Sequence, residues 1–478
     1  MANVQSMMRT NHSGNMCDLF RYEKDLLGQG QVPSNALYGI HTVRAVENFS
    51  LTGRKTHPSL AHAFGYVKLA AAKMNRTLDF WNDDRAKGDA IEQACQELAA
   101  GKLDDHIVVD PLQGGAGTSM NMNANEVIAN RALQLLGEPL GNYKRISPLD
   151  DVNLHQSTND SYPTSLKLAL IMQLRLLDEA LERLVGSFRD KAEEFKDVIK
   201  IGRTQLQDAV PVTLGCEMAS YADAFERGRN HIRNVQDRLT IINLGGTAIG
   251  TGIAAHRDYI LGVADMLGEV TGIHFTRAEN MVDNTQNTDA FVDVSSQLKV
   301  CAAIFVKCCT DLRIMSSGPE SGFGEIKLPA RQAGSSIMPG KVNPVIPEAA
   351  TQAALRVIGA DTEIVIASGM GNFELNPFEP VMADSLLNNI EVLANAADML
   401  RTKCIEGIEA NIETCRGNVE SSTALVTSLV APLGYEKASD IAKRARAENK
   451  TIREIVLSEN LMSEASFDDL IKPRTQFH

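Results

Sequence analysis

Nine apolar residues recur at steps of three or four between Leu166 and Phe195, through Leu170, Leu174, Leu177, Leu181, Leu184, Phe188 and Ala192. That spacing keeps all of them on one face of an α-helix for about eight turns. A helix this long with one apolar stripe holds together in water only if the stripe is buried against other helices. Pro163, just upstream, suits a first turn, so the helix is expected to start there. Four further runs have the same period. One begins near Pro211 and passes through Met218, Tyr221, Phe225, Ile232, Val235 and Leu239 to Ile242. Another covers Phe291 to Ile314 through Val294, Leu298, Ala302, Val306 and Cys309. The last two run from about Pro344 to Ile366 and from Pro380 to Cys404. Five such stripes predict an all-α chain built on an elongated bundle.

The segment Thr285–Met315 is rich in Ala, Val and Cys, with few charges on two of its faces. A helix apolar beyond one stripe is covered on several sides, which association of several bundles supplies readily. A homo-oligomer is therefore expected. Short helices and loops are expected before residue 150, with Leu51–Pro58 as a connection and Val108–Gly117 as an extended piece ending in glycines. The last 65 or so residues read as a small helical tail. Met1 to about Tyr22 is polar and irregular, and reads as a loose extension without a signal-peptide core.

A chain of 478 residues, 44% hydrophobic and 22% charged, is of ordinary globular composition. A net charge of −13 excludes a general nucleic-acid binder but not an anionic ligand in a locally positive pocket. No apolar run reaches the length of a membrane span. The eight cysteines, Cys17, Cys95, Cys216, Cys301, Cys308, Cys309, Cys404 and Cys415, form no C-x-x-C pair. Free thiols in a reducing cytoplasm are expected, with Cys301, Cys308 and Cys309 packing in the core rather than binding metal.

Four polar segments interrupt this pattern. Gly114-Gly115-Ala116-Gly117-Thr118-Ser119-Met120-Asn121-Met122-Asn123 opens with glycines that let backbone amides approach a ligand and adds the Thr118 hydroxyl, although a turn capped by Thr118 at a helix start would read the same way. Gln156-Ser157-Thr158-Asn159-Asp160 places hydroxyls and an amide at a helix start, either as caps or as donors to a carboxylate. Gly202–Pro211 reads as a polar lead into the second long helix. Gly334-Ser335-Ser336-Ile337-Met338-Pro339-Gly340-Lys341-Val342-Asn343-Pro344 combines hydroxyls, a cation and an amide on a glycine- and proline-bounded loop. Removal of a proton beside a carboxylate needs such a set: a hydroxyl base, a cation to favour its ionised form, and amides for the developing charge. Glycines at 318, 322, 324, 334 and 340 suit a mobile lid over Ser316–Gly340.

The last string resembles the signature of the fumarase/aspartase superfamily. In their order, the four segments resemble that superfamily along essentially the whole chain, from Asp25-Leu26-Leu27-Gly28 and Tyr38-Gly39-Ile40-His41-Thr42 to the C-terminal region. The resemblance implies a mostly helical, three-domain fold, here bounded as 1–158, 159–412 and 413–478. It also implies a homotetramer whose active sites draw on three subunits, without redox or organic cofactor or metal. The resemblance is nearest to the aspartate ammonia-lyase branch. Fumarases read S-S-N where this chain has Ser157-Thr158-Asn159, and G-R-T-H where it has Gly202-Arg203-Thr204-Gln205. Gln205 takes up no proton at neutral pH, so the water-activating base of a fumarase is missing.

Carried over residue by residue, the resemblance implies that Ser335 removes the C3 proton of L-aspartate. Ser336 would touch substrate, and Lys341 and Asn343 would hold one carboxylate. Thr118, Ser157, Thr158, Asn159 and Thr204 would hold the other carboxylate and the ammonium. Gln205, Met338 and Glu348 would surround the site. A fumarase, an ammonia-lyase for a modified aspartate and a scaffold without catalysis remain the alternatives. Three positions depart from the usual pattern. Glu320 follows Gly318-Pro319 where relatives usually have Arg, Pro377 follows Leu375-Asn376 where they have Val, and Asp151 stands where aspartases often have His.

Overall fold

The computed structural model describes residues 19–473. Cys17 and most of the N-terminal extension lie outside them. The chain opens with an antiparallel hairpin, β1 (Phe20–Asp25) and β2 (Gly28–Pro33), so Phe20–Tyr22 are strand rather than loose extension. Helices α1 (Ile40–Asn48), α2 (Pro58–Thr77), α3 (Arg85–Ala99) and α4 (Thr118–Leu135) follow, three of them longer than the sequence suggested. Then come α5 (Thr158–Glu194), the hairpin β3 (Ile199–Thr204) and β4 (Gln207–Thr213), and α6 (Leu214–Leu239). The chain continues through β5 (Ile241–Ile242), α7 (Arg257–Thr271), β6 (Thr276–Arg277), α8 (Met281–Gln286), α9 (Asp289–Met315) and β7 (Ile326–Lys327). Next are α10 (Val345–Gly369), α11 (Glu379–Lys403) and β8 (Glu409–Ala410). The end is helical: α12 (Ile412–Ser421), α13 (Val426–Leu433), α14 (Tyr435–Glu448), α15 (Ile452–Ser458) and α16 (Glu464–Ile471).

Two compact units share these elements. The first takes the chain up to Leu174, Val235–Ser296 and Ala360–Asn389. The second takes Arg175–Asn234, Gln297–Gly359 and everything from Ile390 on. In the first, α2 packs on α3 and α7, and α3 packs on α4. Pro58 opens α2 and the His57 ring accepts from Ser59 N, so the start of this apolar helix is satisfied. At Gly65 a Cβ would lie 2.3 Å from Ala99 N, so only glycine allows α2 and α3 to approach this closely.

The second unit centres on aromatic packing among α5, α6 and α9. Phe188 stacks on Phe225, whose ring meets the edge of Phe305 at 4.9 Å. Cys301, Cys308 and Cys309 are buried on α9 as expected, and burial pushes the Cys301 and Cys309 thiols up to about 12. Thiols held neutral are poor ligands and nucleophiles. A separate cluster of Val419, Leu425, Leu429, Ile441, Ile455, Val456 and Phe467 ties the tail helices together.

The α5 stripe is buried from Leu166 to Phe188. The helix nevertheless starts at Thr158, upstream of the expected Pro163. Proline inside a helix leaves the carbonyl four residues back without its N–H. Here that carbonyl is Asn159 O, and Asn243 Nδ2 serves it at 3.0 Å. A distant side chain thus pays for the proline. On α10, Leu355, Val365 and Ile366 remain exposed although the helix is apolar on several sides. No helix among the described residues is long and apolar enough to cross a membrane.

Candidate active site

Two of the polar segments become helix N-termini in the first unit. The turn Gly114–Gly117 feeds α4. Gly117 has φ 86°, and a Cβ there would sit 2.1 Å from the Tyr162 ring on α5. Only glycine permits this contact and this conformation together. Thr118 is the first helical residue rather than the cap, which is Gly117. A cap oxygen accepts from a helix N–H, whereas the exposed Thr118 hydroxyl donates back to Gly115 O at 2.7 Å and closes the turn.

The Gln156–Asp160 turn is more deeply supported. Ser157 Oγ accepts from Asn159 N at 3.3 Å, and Asn159 Nδ2 donates to Ala248 O at 2.7 Å. Thr158 is buried, and its Oγ1 accepts from Asn121 Nδ2 at 3.0 Å. Asn121 also donates to Asn153 Oδ1, which receives Asn125 Nδ2 at 3.1 Å and Lys68 Nζ at 3.0 Å. Lys68 reaches Gln156 Oε1 at 2.8 Å as well. Burial pushes the Lys68 ammonium down to about 7, against the pull of the Asp160 charge. Asp160 accepts from Ser157 N, Gly245 N and Thr247 N, but burial outweighs these and pushes its carboxyl up to about 7.

Thr204, in the second unit, ends β3 and pairs with Gln207. The segment expected to lead straight into a helix is a hairpin, and α6 begins only at Leu214. Its two-residue turn, Gln205-Leu206, has φ 53° and 62°. Such a turn normally takes Asn and Gly, so these side chains hid it from a sequence reading. Thr204 and Gln205 are both exposed at its tip.

The Ser335 arm also belongs to the second unit. Gly334 N donates to Lys341 O at 2.8 Å, and Asn343 Nδ2 donates to Gly334 O at 2.8 Å. A Cβ at Gly334 would lie 2.4 Å from Lys341 O, so this closure requires glycine. Within the loop Ser335 Oγ accepts from Ile337 N at 3.2 Å and Met338 N at 3.1 Å. Two amides aimed at one hydroxyl oxygen bind it more strongly once it is negative. Ser335 and Asn343 are half-buried, as is Glu348 in the first turn of α10, while Ser336, Met338 and Lys341 are exposed. The early part of the expected lid is anchored. Glu325 N donates to Met315 O, β7 pairs with β8, and Arg331 Nε donates to Lys403 O at 2.7 Å. The arm proper is the exposed stretch beyond Arg331.

Thr118, Ser157, Thr158 and Asn159 therefore stand in one unit, and Thr204, Gln205, Ser335, Ser336, Met338, Lys341, Asn343 and Glu348 in the other. Among the described residues, no three His, Cys, Asp or Glu side chains converge as a metal site requires. Of the supports, Lys68 and Asn153 escaped the sequence reading, while Asn121 and Asp160 lay within two of its polar segments without a role assigned to them. A signal for one of them existed: Asn121, Asn123 and Asn125 sit inside α4, where asparagine is a poor helix former and needs buried partners.

A family model described as Lyase matches residues 28–359, and one described as Fumarase C C-terminus matches 425–475. The chain belongs to the fumarase/aspartase superfamily. An aspartate ammonia-lyase of a Bacillus species is 45% identical over 96% of this chain and 97% of its own. One from Pseudomonas aeruginosa is 47% identical over 95% of this chain and 96% of its own. Among solved structures, a fumarate lyase:delta crystallin from Brucella melitensis bound to cobalt superposes with TM-score 0.91 at 45% identity, covering 95% of this chain and 98% of that one. A class II fumarase from Schistosoma mansoni gives TM-score 0.87 at 31% identity, with the same coverage. The superfamily's helical fold, expected from the five stripes and the motif order, is the fold observed.

Proposed function

We propose that this superfamily member is an aspartate ammonia-lyase that interconverts L-aspartate with fumarate and ammonia. The carrying observation is Ser335 Oγ, held by the Ile337 and Met338 amides in a closed, exposed loop. Relatives of that name at 45–47% identity support the choice of substrate. Ser335 acts as an alkoxide. It takes the C3 proton, and the electron pair moves into the neighbouring carboxylate to give a dianionic aci-carboxylate. That pair then returns to form the C2–C3 double bond as the C2–N bond breaks, releasing ammonia. Lys341 and the amides favour the alkoxide and the dianion, and closure of the arm excludes water. Ser336, Lys341 and Asn343 bind one carboxylate; Thr118, Ser157, Thr158, Asn159 and Thr204 bind the other and the ammonium. Gln205 in place of a base disfavours fumarate hydration.

The working form is a cytoplasmic homotetramer in which segments from different protomers complete each site. The exposed apolar residues on α10 support a self-association surface. A three-domain division with the tail as its own domain agrees with the separate match at 425–475.

Purified protein mixed with L-aspartate or L-malate, with fumarate followed by absorbance, tests the reading. Release from aspartate and not from malate is expected. Release from malate alone would replace this reading with fumarase.

A further inference from the structure

A buried ionic cluster in the second unit has no place in the chemistry above. Glu325 is fully buried and faces two cations: Arg203 Nη1 donates to its Oε1 at 2.7 Å, and Lys200 Nζ lies 3.1 Å from its Oε2. Lys200 also pairs with Glu217 at 2.9 Å, so two cations meet two carboxylates. Burial raises the Glu217 carboxyl above its ordinary value, against the Lys200 charge. Moving charges from water into the interior generally costs more than their pairing recovers, so the cluster is a weak device for stability alone. Its placement is specific. Arg203 immediately precedes Thr204 on β3, and its guanidinium lies over the Phe323 ring at 4.3 Å. The Glu325 main chain is fixed on both sides, its N–H to Met315 O and its carbonyl receiving Asn411 N, at the foot of the segment that carries Ser335. One residue therefore joins the strand presenting Thr204 to the base of the Ser335 arm.

We propose that Glu325 is a positioning residue: through Arg203 it holds the Thr204 hydroxyl in register with the base of the Ser335 arm. The proposal rests on the ammonia-lyase reading for its kinetic consequence only. Displacing a reactive group by about 1 Å costs on the order of 100-fold in rate, which an anchor at one end of each segment prevents.

Glu325→Gln leaves Lys200 with Glu217 and Arg203 with only the longer Asp208 contact at 3.9 Å, and such a variant risks misfolding. The decisive variant is Arg203→Met with Glu325→Met, which leaves the neutral Lys200–Glu217 pair intact and replaces the other with apolar side chains of similar length. Melting temperature, kcat and KM for L-aspartate, and amide hydrogen exchange over residues 203–207 and 332–343 are measured on the full-length protein. The expected result is a folded protein with a near-native melt, kcat lowered about 100-fold, a smaller rise in KM, and faster exchange in both segments. A well-folded double variant with wild-type kcat, KM and exchange would overturn the proposal and leave the cluster a structural contact. If the parent protein releases no fumarate from aspartate, the functional reading fails by itself. The exchange measurement still decides whether Glu325 holds the two segments.

Discussion

The turn at Thr158 and the arm at Ser335 solve opposite problems. Beneath Thr158 lie buried amides and a buried ammonium, and the Thr158 hydroxyl oxygen already has its donor in Asn121. Ser335 instead draws its donors from its own loop, at Ile337 and Met338, and the residues around it are exposed. Groups that orient a substrate gain from rigidity, because their geometry is settled before the ligand arrives. A base that must reach the substrate and then shut out water gains from a loop that carries its own stabilising amides.

The largest effect that would test this contrast is chemical. Ser335→Ala should lower kcat by ~10⁴-fold, the upper range for loss of a general base, with an unchanged melt because the side chain supports only its own loop. A variant that keeps more than a tenth of wild-type turnover would remove Ser335 from the role. Asn121→Ala attacks the rigid partner. It should cost about 1–3 kcal/mol of stability for the unpaired buried groups and lower kcat/KM on aspartate about tenfold or more. Asn125→Ala is the control: it shares the Asn153 contact but does not touch Thr158, so similar destabilisation with near-normal kinetics is expected. Equal kinetic losses in the two would show that Thr158 gains nothing from Asn121.

A third measurement follows the buried charge. Lys68 titrates near 7 when folded and near 10.5 when unfolded. Between those values the unfolded chain holds the extra proton, so stability rises with pH by up to about 1.4 kcal/mol per unit. The penalty is complete below 7 and gone above 10.5. Asp160, raised from 3.8 to about 7, shifts the other way: its contribution is full below 3.8 and lost as pH rises through 7, beneath this window. Lys68→Met should flatten the slope of denaturant-derived stability between pH 7 and 10. An unchanged slope would mean that Lys68 stays charged. The smallest effect concerns the Thr204 hairpin. Replacing Gln205-Leu206 by Asn-Gly should raise stability by about 1 kcal/mol, since both positions are left-handed. A lower melting temperature would show that those side chains stabilise the tip.

Much of this was legible in advance. A three-four period forces apolar residues onto one face whatever surrounds them, so the helices at Leu166–Phe195 and Phe291–Ile314 could be read directly. The Gly334–Pro344 string carried the superfamily's signature openly because residue types, not contacts, define it. The start of α5 could not be read, since the carbonyl that Pro163 leaves without its N–H is served by Asn243, a partner far along the chain. Nor could the hairpin at Thr204, whose turn uses residues that avoid its conformation.

By itself the sequence determined the helical stripes, the superfamily signature and the identity of the candidate base, because periodicity and residue chemistry are local properties of the chain. Tertiary structure alone decided that Lys68 and Asp160 lie buried under Thr158, and that Arg203 meets Glu325. Those pairings join residues far apart along the chain. Burial and long-range partners set their charge and orientation, and no local pattern encodes either.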